Sequence, residues 1–78
     1  MLFRSVLLIC SGVNFIDTSG LEMLEELDQR LQEMGATLHL AEVKSPIMDR
    51  IGDTGFYAEM KGQVFFTTDI AFKELVNA

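Results

Sequence analysis

The groups in this chain best placed to do chemistry are gathered in one short stretch, Asp17-Thr18-Ser19-Gly20. One carboxylate and two hydroxyls follow an apolar run and precede a helix-period pattern. A loop at such a strand-to-helix turn is where an α/β chain presents groups to partners. The start of a helix also favours negative charge. Two compatible readings follow. Ser19 caps the helix while Asp17 shapes the turn, or the loop is a docking switch whose Ser19 or Thr18 accepts a phosphate. A phosphate adds a charge of about −1.5 to −2. Asp17 and Glu22 stand close enough to repel it, so modification would act by breaking a contact.

Other constellations are weaker. Ser19, His39 and an acid make a nominal nucleophile–base–acid set. However, His39 falls in the middle of a strand-like run, and active sites of parallel sheets gather at the strands' carboxyl ends. It is the sole histidine, with no second His or Cys at ligand spacing, so no zinc site is implied. Asp17 and Glu42 sit on the same expected rim, and two carboxylates suit Mg²⁺. A phosphoacceptor site would also need an acidic pair after the first strand and a lysine after a later one. Ser11-Gly12 and Thr67-Thr68 stand there instead. Gly12, Gly20 and Gly35 do not have the spacing of a phosphate-binding loop. No cofactor, metal or catalytic residue is implied, and the expected activity is non-enzymatic.

Composition sets further bounds. The 78 residues suffice for one small domain, read as 1–78, with 49% hydrophobic and 23% charged residues, a balance that excludes disorder. The net charge of −6 opposes binding to nucleic acid or anionic membrane. The lone Cys10 lies inside an apolar run and reads as a small buried hydrophobe. That run is too short to span a bilayer.

Three similar units position these groups. Each has an apolar run, small polar residues, then a helix-period pattern. The runs are 6–13, 37–43 and 64–67. The helices are expected from Gly20 to about Met34, after Ser45, and from Thr68 to about Val76. Ser19 and Glu22 have capping-box spacing. Ser45-Pro46 and Thr68-Asp69 read as helix starts. Gly35 and Gly55 fit helix ends. The first helix carries Leu21, Leu24, Leu27, Leu31 and Met34 on one face. Met34 and Met48 read as core, and Met23, off the stripe, as part of a contact surface. The 6–13 run is apolar on both alternating sets, which predicts a parallel strand covered on both faces. Phe65 and Phe66 are expected to serve opposite faces of the third strand. Strands alternating with helices predict an α/β fold with a small, mostly parallel sheet and right-handed crossovers.

The stretch Val6-Leu7-Leu8-Ile9-Cys10-Ser11-Gly12-Val13-Asn14-Phe15-Ile16-Asp17-Thr18-Ser19-Gly20-Leu21 resembles the centre of a STAS domain. Gly35 to Val43, Val43 to Ile51, Thr54-Gly55-Phe56 and Val64 to Phe72 agree with it, so the resemblance covers nearly the whole chain. STAS domains occur in sulfate transporters and anti-sigma factor antagonists, and the wording around Asp17 is most similar to the carboxyl-terminal domain of SulP anion transporters. The resemblance implies a regulatory interaction domain on the cytoplasmic face of the membrane, soluble in itself, with the transporter's membrane domain as partner. It implies Asp17 and Gly20 as loop-shaping residues, Ser19 as the position of the antagonists' phosphorylatable serine, and Thr18 as a lesser acceptor. The alternative it implies is a stand-alone antagonist switched at Ser19. A full STAS domain has further strands before the run that starts at Val6. The chain is therefore read as an N-terminally truncated STAS-like domain, with Met1 to Ser5 as an irregular start. Its open apolar edge predicts a homo-oligomer.

Overall fold

The computed structural model describes residues 4–76. Strands β1 (Arg4–Ile9), β2 (Ala36–Ala41) and β3 (Val64–Phe65) form a parallel sheet in the order β1-β2-β3. Helices α1 (Thr18–Glu33), α2 (Ser45–Gly52), α3 (Phe56–Glu59) and α4 (Thr68–Val76) connect or follow them. The register runs from Arg4 opposite Ala36 to Ile9 opposite Ala41, and β3 adds only Val64 and Phe65 beside Leu40 and Ala41. The expected α/β architecture is thus present.

Alternation along β2 divides the core. Leu38 and Leu40 are fully buried and pack with Leu21 and Leu24 of α1, Ile47 and Ile51 of α2, and Phe56. Ala41, Phe65 and Ala71 close the other face beneath α4, with Leu7 and Leu75 partly buried against them. Burying a leucine side chain contributes about 1.5–3 kcal/mol, so the central strand dominates the stability of the sheet. Gly62 permits the last strand to approach. A Cβ there would lie 1.8 Å from the Leu38 carbonyl oxygen, so any side chain would force the strands apart.

Several expectations need correction. The first strand ends at Ile9, and residues 10–16 form the loop. It is not covered on both faces: Val6, Leu8 and Ile9 are 39%, 38% and 50% exposed. The reason is position, because among the described residues β1 lies at the edge of the sheet and α1 packs chiefly over β2. Met34 is exposed because it is the C-cap of α1, where the chain turns into Gly35. Met48 is also exposed rather than core, and Phe66 is almost fully exposed while Phe65 is buried. Gly35 takes the expected left-handed conformation at the end of α1, with φ 78°. Met1, among the residues read as an irregular start, lies outside the described residues.

Candidate functional site

The loop after β1 is held by its neighbours. The Val13 N–H donates to the Cys10 carbonyl at 3.0 Å. The Lys44 ammonium donates to Asn14 Oδ1, and Arg50 Nε donates to the Ile16 carbonyl at 3.3 Å. Both braces come from the start and body of α2, 30 and 34 residues away in sequence. The loop therefore reaches the helix at a fixed angle.

Asp17, not Ser19, caps α1. Its backbone is extended, and its Oδ1 accepts the Gly20 N–H at 2.8 Å. The first intrahelical bond runs from the Leu21 N–H to the Asp17 carbonyl at 3.0 Å. Thr18 and Ser19 are then the first helical residues, and the Ser19–Glu22 capping box does not form. Gly20 makes this possible by its size, because a Cβ there would stand 3.0 Å from Ile16 Cγ1 and 3.3 Å from Asp17 Oδ1. The same displacement occurs elsewhere. Lys44 precedes α2, and Ser45 opens the helix rather than capping it. The Thr67 hydroxyl accepts the Ile70 N–H at 3.1 Å, while the Thr68 hydroxyl donates to the Glu42 carboxylate.

These caps leave the Thr18 and Ser19 hydroxyls exposed, and neither has a hydrogen-bond partner among the described residues. They stand at the amino end of a 16-residue helix. Beside them Val13 and Ile16 join Leu8, Cys10, Met23 and Leu24 around an apolar cleft of about 420 Å³. Met23 is 70% exposed, in keeping with a contact surface.

The other candidates are not brought into a site. The His39 Nδ1 accepts the Gln63 N–H at 3.0 Å, so in the neutral ring the proton sits on Nε2 and Nδ1 has none to donate to an orienting acid, as a nucleophile–base–acid set requires. Burial lowers the His39 pKa, which keeps the ring neutral. Asp17 is committed to its cap and Glu42 to Thr68, and among the described residues no cluster of three suitable side chains could hold a metal ion. Glu42 has φ 58°, a left-handed conformation uncommon outside glycine. Burial raises the pKa of Cys10, so its thiolate is disfavoured. Sequence reading missed Asn14, Lys44 and Arg50, the residues that brace the loop. Their pairing depends on the crossover, and no local spacing signals it.

The family model described as STAS domain matches residues 3–76. Solute carrier family 26 member 9 of Xenopus tropicalis is 35% identical over 57 residues, which is 73% of this chain and 7% of that protein. The chain thus spans a small fraction of that relative's length. Among the described residues no helix is long and apolar enough to cross a membrane.

Proposed function

This chain belongs to the STAS domain family, and from that we propose that it is the regulatory, non-catalytic interaction domain of a SulP-type anion transporter. The domain works at the cytoplasmic face, where it docks on the transporter's own membrane domain or on a regulatory protein. The docking surface is the Asp17-Thr18-Ser19-Gly20 loop with the exposed Met23 of α1. The observation that carries this reading is the state of the two hydroxyls. They are exposed and free of hydrogen bonds among the described residues, in the first turn of α1, directly after a loop fixed by Asp17, Lys44 and Arg50. A rigid loop loses little conformational entropy on binding, which favours recognition. The similarity to a solute carrier supports a transporter as the parent protein.

Regulation follows from charge. An unmodified Ser19 fits a close interface. A phosphate there gains from the helix dipole but meets Asp17 and carries water that docking must strip. Phosphorylation therefore weakens docking. The exposed Ser19 suits a stand-alone antagonist equally. An open reading frame that continues upstream through membrane spans favours the transporter domain.

The test is binding of the purified chain to the membrane portion of its parent transporter. Ser19→Glu is expected to weaken binding by about tenfold, which is about 1.4 kcal/mol. Ser19→Ala is expected to leave it nearly unchanged. Equal binding by wild type and Ser19→Glu would remove the loop from the interface.

A further inference from the structure

The packed stripe of α1 contains one residue that does not belong to it chemically. Leu21, Leu24 and Leu31 pack on the core, and Asp28 stands between the last two at the position where the helical spacing calls for another apolar side chain. It is only 5% exposed. Buried charges are ordinarily paired. Among the described residues the ion pairs are Arg30 with Glu26 and Lys73 with Asp69, and neither involves Asp28. Its hydrogen bond comes from a neutral group, the Gln32 side-chain amide, which donates to Oδ2 at 2.8 Å. Oδ1 has no hydrogen-bond partner among the described residues. A carboxylate so placed costs stability where a leucine would add it.

Asp28 opens on a cavity of about 230 Å³ between α1 and α3. Glu25, Gln29 and Gln32 line it from the same face of α1, and Phe56 and Glu59 line it from α3. Glu25, Gln29 and Glu59 are exposed, whereas Phe56 is buried. The cavity thus has an acidic rim, an aromatic wall and a buried carboxylate. No Lys, Arg or His lines it. The charge around it has the same sign, because α1 carries five acidic residues against Arg30 alone.

The missing element is a cation that donates hydrogen bonds. A metal ion does not suit the place, since among the described residues no group of three ligating side chains could hold one. An ammonium is strongly hydrated and would lose that shell on entering. A guanidinium is more weakly hydrated, keeps its charge, offers a planar fork of donors to carboxylates, and stacks on an aromatic ring. A free amino acid would bring its own carboxylate against Glu25 and Glu59. An arginine within a chain has none.

We infer that the cavity between α1 and α3 receives an arginine side chain of a protein partner, with Asp28 as its buried counter-charge. The acidic rim draws the guanidinium in, Phe56 supplies the face on which it rests, and Asp28 Oδ1 accepts its hydrogen bonds. The site uses no residue of the Asp17–Gly20 loop, so it stands or falls separately from the docking reading.

The test is a titration of the 78-residue protein with acetyl-Gly-Arg-Gly-amide, followed by heteronuclear NMR. The Gln32 side-chain amide is the reporter, because it is bonded to Asp28. It is expected to shift saturably, with a Kd of about 1 mM. The lysine peptide should bind more weakly. The citrulline peptide, nearly the same in shape but uncharged, should not bind. Asp28→Asn keeps the shape and an acceptor for Gln32, and is expected to weaken binding by about tenfold or more. Asp28→Leu is expected to abolish binding and raise the melting temperature, which removal of a merely structural carboxylate would not do. Ser19→Glu should leave the titration unchanged. The absence of a saturable shift, an equal response to the citrulline peptide, the same shift with magnesium chloride, or full binding by Asp28→Asn would overturn the proposal. So would an unfolded or less stable Asp28→Leu, since the carboxylate would then serve the fold.

Discussion

Replacing Asp17 with alanine should destabilise the protein, while replacing Ser19 should not. The Asp17 carboxylate satisfies the Gly20 N–H at 2.8 Å, one of the donors that a helix start leaves without an intrahelical partner. Loss of such a cap costs about 1 kcal/mol, within a range of roughly 0.5–2. For a domain of this size, each kcal/mol lowers the melting temperature by about 4–8 °C. Ser19 is exposed and within the first turn, so Ser19→Ala should stay within about 0.5 kcal/mol. Asp17→Asn should fall between the two. Asparagine caps well, but it loses the charge–dipole attraction of about 0.3–1 kcal/mol. Thermal unfolding followed by far-ultraviolet circular dichroism measures all three. If Ser19→Ala proves the costly variant and Asp17→Ala the mild one, the cap is Ser19 after all. The exposed, unbonded serine on which the docking reading rests would then be gone.

Two further outcomes follow from the core. Burial lowers the pKa of His39, whereas the unfolded chain takes up its proton near the ordinary value of about 6.5. The unfolded state thus binds more protons below that pH, so stability falls as pH drops through about 6.5 and levels off below the lowered native value. Urea midpoints on either side of that pH should show the fall, and His39→Gln should flatten it. An equally steep fall in His39→Gln would remove His39 as its cause. Gly62→Ala should cost about 3 kcal/mol, at the upper end for overpacking, because its Cβ would meet the Leu38 backbone. That is a large share of the roughly 4–12 kcal/mol expected for 78 residues. An unchanged melting temperature would mean that Gly62 does not lie so close to β2.

The sequence by itself determined the types and order of the elements other than the short α3. Alternating apolar runs and helix-period patterns are local signals, and they sufficed for a parallel α/β sheet and for a helix start within Asp17-Thr18-Ser19-Gly20. The wording around Asp17 sufficed for the family. Tertiary structure decided which residue in each polar cluster does the capping. Asp17, Thr18 and Ser19 are all capable caps, and Thr67 competes with Thr68. The choice fell to contacts from elsewhere: Arg50 on the Ile16 carbonyl, the small Gly20 beneath Asp17, and Glu42 drawing Thr68 aside. Tertiary structure also decided burial. Hydrophobicity marks Leu8, Ile9 and Met34 as candidates for the interior, but it carries no information about strand order or helix position. An edge strand and a helix terminus leave those side chains exposed. The feature with most bearing on the proposed function, an exposed Ser19, arises from that placement, because it is not a property of the residue alone.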